Sequence, residues 1–202
     1  ILFNVINMLK KKVIKAFEDE LNNLIIVTEF LKKKKIKNFE KLCDSSIKAI
    51  NKGNKIIFFC NGGSAADSLH LATELKVKYK KKRKAINAIA LSSDTASITA
   101  IANDFNYKNI IKKQLEEIGK TGDIAIAITT SGNSRNLIEA CKVAKKLKIK
   151  TFCFSGNNGG LLKKYVNHAI IIPSKVTSII QVFELFLGQI YCGILEEYFF
   201  KK

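Results

Sequence analysis

Five short apolar runs, each separated from the next by a stretch of helical periodicity, restrict this chain to few architectures. They are KIIFFC (Lys55–Cys60), AINAIAL (Ala85–Leu91), DIAIAI (Asp123–Ile128), TFCFS (Thr151–Ser155) and AIII (Ala169–Ile172), the last closed by Pro173. Between them, helical spacing is read from Cys60 to about Tyr79, over Asp94–Ala102, Lys108–Ile118 and Ser134–Leu147, and briefly over Gly159–Tyr165. Strands that alternate with helices predict an α/β fold, a parallel sheet covered on both faces with right-handed crossovers. Two helices precede the first strand, residues 2–35 and 36–51, the second ending at the turn Lys52-Gly53-Asn54. A long helix, Val176–Lys202, closes the chain. Its segment IIQVFELFLGQIYCGIL is apolar nearly all the way round, which predicts burial on more than one side and hence against another subunit.

No linker or low-complexity tract interrupts the 202 residues, so one domain spanning 1–202 is expected. Residues 1–50 are assigned to oligomerisation and 51–202 to the α/β core and last helix. Met8 is the only methionine, and residues 1–7 are expected to be an upstream extension or a start-site error. The start lacks the basic stretch of a secretory signal, and no apolar run is read as long enough to span a membrane. The five cysteines form no CxxC pair, which points to a reducing, cytoplasmic setting without a disulfide framework. The formal charge of +18 raises nucleic acid as a partner, but Arg83 and Arg135 are the only arginines, and lysine enrichment runs through the whole chain. The densest run, Lys78–Lys84, has no interleaved stacking platform. It is read as a solvated loop or mild phosphate-attracting field in preference to a polyanion site.

The chemistry is expected at the carboxyl ends of the strands, where open α/β sheets bind ligands. After the first strand come Asn61, Gly62, Gly63 and Ser64: glycines that admit an anion to the backbone, a hydroxyl donor, and then a helix N-terminus. After the third come Thr129, Thr130, Ser131, Gly132, Asn133 and Ser134, four hydroxyls and a glycine ahead of another helix. A third such turn, GNNGG, follows the fourth strand. Neither a Walker loop nor GxGxxG spacing is present, so no nucleotide cofactor is expected. His70 and Glu74 lie four apart on one face of the helix that the first loop opens. They suit a shared metal or an acid/base pair near a bound sugar; the alternative is a surface pair or a satisfied core histidine.

The segments CNGGSAADSLHLATEL, AIALSSDTASITAIANDF, GDIAIAITTSGNS, FSGNNGG and IIPSKVTSIIQ together resemble the sugar isomerase (SIS) domain family, specifically the phosphoheptose isomerases, from about residue 40 to 197. The resemblance implies a flavodoxin-like three-layer sandwich around a five-stranded parallel sheet. It also implies a homotetramer with active sites at subunit interfaces. The implied reaction interconverts sedoheptulose 7-phosphate and D-glycero-D-manno-heptose 7-phosphate, the first step toward nucleotide-activated heptose for surface polysaccharide. Ser64, Thr130, Ser131 and Ser134 would hold the phosphate, with Gly62, Gly63 and Thr129 in the same loops. Asn61, Asn103 and Asp104 would touch the sugar, and Glu74 would move a proton between C1 and C2 through an enediol. Some members bind zinc through residues matching His70, Glu74 and Gln181 plus a histidine on the last helix.

That histidine position is Gln189 here, which weakens zinc as a cofactor, since an amide is a poor zinc ligand and delivers no proton. The other histidine, His168, does not match it; Glu184, one turn after Gln181, is a candidate partial substitute. Lys78 stands where the family carries arginine, replacing a bidentate fork by a point charge. Two further readings follow from these departures: a non-catalytic SIS protein like those that bind the bacterial replication initiator, and an isomerase of another sugar phosphate.

Overall fold

The structure is a computed structural model that describes residues 2–33 and 36–201; the expected end of the first helix, at 34 and 35, lies outside the described residues, as does Lys202. The chain runs α1 (Leu2–Lys33), α2 (Lys37–Asn51), β1 (Ile56–Cys60), α3 (Gly62–Lys76), β2 (Ala88–Ala90), α4 (Thr95–Phe105) and α5 (Ile110–Ile118). It continues through β3 (Ile124–Thr129), α6 (Arg135–Lys146), β4 (Lys150–Gly156), β5 (His168–Ile172) and α7 (Thr177–Phe199). The five strands form one parallel sheet in the order β2-β1-β3-β4-β5, the α/β sandwich that the alternating pattern requires. Side chains alternate across the sheet, so each apolar run feeds both layers. Ile56, Phe58, Ile124, Ile126 and Ile128 face the layer containing α2, α3 and α7. Ile57, Phe59, Ala125 and Ala127 face α5 and α6.

Three elements depart from the sequence reading. β2 keeps only Ala88–Ala90 of the expected seven residues, because the Ile86 N–H donates to the Leu75 carbonyl at the end of α3 and so takes no place in the ladder. The short helix expected over Gly159–Tyr165 is a single 3₁₀ turn at Leu162–Lys164. Gly159 and Gly160 precede it at φ +86° and +55°, outside helical backbone. α7 corrects the expectation that no apolar run reaches spanning length: Thr177–Phe199 is long and apolar enough by length and composition. Half of its most apolar window is buried inside the fold, against α2 and α3 among others.

The lysine-rich run after α3 is organised by one buried carboxylate. The backbone N–H groups of Tyr79, Lys80 and Lys81 donate to Glu196 of α7 at 2.9, 2.6 and 2.8 Å, and Arg83 Nε adds a bond at 2.8 Å. Arg83 also donates to the carbonyls of Glu74 and Leu75, so the loop fixes the last turn of α3. Burial works against the Glu196 charge, but these four donors outweigh it and hold its carboxyl at about 2. The segment is thus a structural loop with lysines on its outside. Because the folded-state value is depressed, the stabilisation is present above pH ~4.5 and is lost as pH falls toward 2. Glu196→Gln should therefore lower stability by about 3 kcal/mol at pH 7. In urea titrations repeated from pH 7 to 2.5, the gap to the parent protein should narrow below about pH 4.5.

Candidate active site

The strand order reverses direction between β1 and β3: one connection leads outward to β2, the other to β4 and β5. Ligands of open α/β sheets sit in the crevice at such a switch point, beyond the carboxyl ends of the strands. β1 and β3 pair in register from Ile56↔Ile124 to Cys60↔Ile128, so the CNGGS and TTSGNS loops leave the sheet side by side. The helices they open share a telling feature. Asn61 and Ser134, the residues at the N-caps of α3 and α6, form no side-chain cap, leaving backbone N–H groups at both helix starts uncapped by side chains. At α4, by contrast, Asp94 accepts from the Ser97 N–H in the ordinary way. Two uncapped N-termini converging on one crevice suit an anion.

The loops are tied together across the crevice. Asn61 Nδ2 donates to Asn136 Oδ1 at 2.9 Å, and Asn136 Nδ2 donates back to Asn61 Oδ1 at 2.7 Å. The Tyr107 hydroxyl adds a bond to Asn61 Oδ1 at 3.0 Å. Asn61 therefore holds the loops in place, and it lines a cleft of about 280 Å³ that Tyr107, Ser134, Lys108 and Arg135 also line. The two cations favour an anionic occupant. Asn136, Tyr107, Lys108 and Arg135 were not singled out from sequence. Arg135 and Asn136 directly follow the hydroxyl loop, and that adjacency was the available signal.

Within TTSGNS, Thr129 Oγ1 accepts from the Gly132 N–H and Ser131 Oγ from the Asn133 N–H, while the hydroxyls of Thr130 and Ser134 bond to none of the described residues. Gly132 adopts φ +65°, and a Cβ there would run into the Gly159 carbonyl, so the loops after β3 and β4 meet backbone to backbone. Gly63 faces α7, where an added Cβ would sit 2.9 Å from Gln181 Nε2. Ser64 is buried at the floor of its loop and donates to Glu184 Oε2 at 3.3 Å. Glu184 is fully buried, its Oε1 finds no hydrogen-bond partner, and it bonds to none of His70, Glu74 and Gln189. Burial, with Asp67 adding to it, pushes its carboxyl up to about 8, against the pull of Ser64 and the Thr129 backbone.

A second cluster lies along α3. His70 Nε2 is 2.9 Å from Glu74 Oε1 and 2.9 Å from the Gln189 amide nitrogen of α7. This nitrogen carries either a proton or a lone pair. Protonated, its one hydrogen serves Glu74 Oε1 or, with the amide turned over, the Gln189 oxygen; unprotonated, its one lone pair takes the Gln189 N–H, so the tautomer decides which bond forms. The Glu74 side chain retains access to solvent. Of the four residues implied as zinc ligands, His70, Glu74 and Gln189 come together, whereas Gln181 lies against Gly63, two helical turns from Gln189. No group of three or more His, Cys, Asp or Glu side chains is arranged so that it could hold a metal ion among the described residues. One imidazole, one carboxylate and one amide do not meet zinc's demand for three strong donors, so this donor set does not fit the ion. Asn103 and Asp104 bond to each other at 2.8 Å on exposed α4, and Lys78 is exposed on the loop after α3; none of the three touches the two phosphate-type loops within the chain.

A switch-point crevice between two uncapped helices, with a His–Glu pair about two turns further along α3, defines a sugar-phosphate-binding α/β domain. Residues 17–156 match the SIS domain family, and the chain belongs to that family, among its phosphoheptose isomerases. It is 39% identical to the phosphoheptose isomerase of Thermodesulfovibrio yellowstonii over 193 residues, 96% of this chain and 94% of that protein. It is 44% identical to that of Aquifex aeolicus over 149 residues, 74% of this chain and 78% of the other. The solved phosphoheptose isomerase from Francisella tularensis superposes with a TM-score of 0.87 at 25% identity, covering 91% of this chain and 98% of that one.

The backbone contact at Gly132 gives a direct test of the loop geometry. Gly132→Ala should lower stability by about 2 kcal/mol in urea unfolding, because it adds both strain at positive φ and a collision with the Gly159 carbonyl.

Proposed function

We propose that this protein is an aldose–ketose isomerase that converts sedoheptulose 7-phosphate to D-glycero-D-manno-heptose 7-phosphate. The observation that carries the reading is Glu74 paired with His70, about two turns beyond a glycine-rich, uncapped helix start, in a chain similar to phosphoheptose isomerases over most of its length. In this reading Ser64, Thr130, Ser131 and Ser134 hold the phosphate with the N–H groups of Gly62 and Gly63. Asn61, Asn103, Asp104 and Gln181 meet the sugar, and Lys78 adds charge at the rim.

Ionised Glu74 takes the proton from the carbon next to the carbonyl, giving an enediol, and returns it to the neighbouring carbon. The same carboxyl serves as base and then as acid. While one Glu74 oxygen carries this proton, the other goes on accepting from His70 Nε2–H, and the Gln189 side chain lies within hydrogen-bonding range of the same ring nitrogen. Gln189 hydrogen-bonds but cannot deliver a proton, so transfer between the sugar oxygens falls to water, His70 or a neighbouring subunit. Glu74→Gln should cut kcat by about 10²- to 10⁴-fold with substrate binding retained, measured by coupled assay and calorimetry. Gln189→His should raise kcat about tenfold or more if the site is otherwise intact. No rise, together with capture of a replication initiator, moves the assignment to the non-catalytic class, which Gln189 favours and Glu74 opposes.

The same reading places the protein in the cytoplasm as a homotetramer, with residues 1–50 and α7 providing the contacts. Val182, Phe186, Ile190, Ile194 and Tyr198 form an exposed apolar ridge at every fourth residue of α7. Leu9, Val13, Phe17 and Leu21 do the same on α1. A groove of about 720 Å³, lined by Tyr79, Ile190, Ile194 and Tyr198 and by none of the residues of the strand-end loops, runs along the α7 ridge, and α4 buries no residue completely. Phe186→Asp with Ile190→Asp should dissociate the assembly to monomers in light scattering and abolish turnover if subunits complete the site. A parent protein that is already monomeric would refute the tetramer.

A further inference from the structure

Glu184 has no role in the reaction described above, yet it occupies a costly position. It lies under the CNGGS loop, fully buried, with Oε2 3.3 Å from Ser64 Oγ, the Thr129 backbone beside the carboxyl, and Oε1 without a hydrogen-bond partner. The ionisable groups around it are Asp67 of α3, Cys60 at the end of β1 and Cys153 of β4. None is a cation, and no lysine or arginine pairs with Glu184 among the described residues. A buried carboxylate without a counter-charge is strongly disfavoured. Beneath a loop that receives a phosphate dianion it would also repel the ligand.

A serine hydroxyl has one proton to give. When Glu184 is ionised, Ser64 gives that proton to it and offers a phosphate only lone pairs. When Glu184 is protonated, the acid donates to Ser64 Oγ, and the serine proton is released toward the loop. We infer that Glu184 is a positioning residue for the phosphate site: as the neutral acid it donates to Ser64 Oγ and aims the Ser64 hydroxyl proton at the bound phosphate. The inference rests on the assignment of the CNGGS loop to phosphate. It makes sugar-phosphate affinity depend on a proton at a residue that never touches the ligand. Affinity is full while Glu184 is protonated and falls as pH rises through about 8. The ligand's own second phosphate ionisation, near pH 6, is complete below that window.

The test is calorimetric titration with sedoheptulose 7-phosphate from pH 7 to 9.5, in a Glu74→Gln background so that turnover does not disturb the measurement. With Glu184 intact, affinity should drop about tenfold between pH 7 and 9.5, the value of one hydrogen bond to a charged group. Glu184→Gln is isosteric and its amide donates at every pH, so its affinity should change less than about twofold over the same range. Glu184→Met removes the donor and should bind about tenfold more weakly already at pH 7. A Glu184→Gln profile that falls in parallel with the parent, or a Glu184→Met protein that binds as tightly as the parent at pH 7, overturns the inference. If Ser64→Ala leaves affinity unchanged, the phosphate assignment of the loop fails. If Ser64→Ala weakens binding while the Glu184 variants behave like the parent, only the role given to Glu184 fails.

Discussion

The ligand end of this protein depends on the pairing of β1 with β3. Both strands are buried along their length, and their five-residue register sets two loops from distant parts of the sequence next to each other. The pairing is fastened at both ends. At the far end Asp123 accepts from the N–H groups of Lys55 and Lys120, from Asn54 Nδ2 and from Lys55 Nζ, joining the starts of both strands through one buried carboxylate. At the ligand end the reciprocal Asn61–Asn136 amide pair does the same for the loops. A slip of one residue would reverse which side chains face each helical layer, so register and site stand or fall together.

Three buried carboxylates show how surroundings, more than residue type, decide what an acid does. Glu184 and Glu196 lie on the same helix, twelve residues apart. Glu196 meets three backbone N–H groups and a guanidinium and is held ionised well below its ordinary value. Glu184 meets one hydroxyl, a backbone edge and the field of Asp67, and burial raises it instead. Asp123, ringed by donors, serves as a clamp. The helix that carries the two glutamates thus links the Tyr79–Arg83 loop, through Glu196, to the floor of the CNGGS loop, through Glu184.

Gln189 stands where the resemblance implies a histidine, and its side chain bears on the chemistry open to the His70–Glu74 pair. The amide lies within hydrogen-bonding range of His70 but cannot accept and release a proton as an imidazole can. It also leaves too few strong donors for zinc. Both consequences follow from the donor and acceptor inventory of one side chain.

The sequence by itself determined the layer architecture, because five apolar runs separated by helical periodicity admit little else, and it located the two hydroxyl-rich bends, because glycine and serine before a helix start have a specific backbone use. It also identified His70 with Glu74, since a spacing of four fixes them on one face. It did not determine what the lysine run is for. That was decided by Glu196, more than a hundred residues away, whose carboxylate gathers the loop's N–H groups. Nor did it separate Glu184 from Glu196, or reveal that Asn136 and Tyr107 fasten Asn61, because local periodicity carries no information about which distant donors will surround a side chain. Only the tertiary structure decided those, through long-range contacts between strand ends and helices that set the charge state of each buried acid.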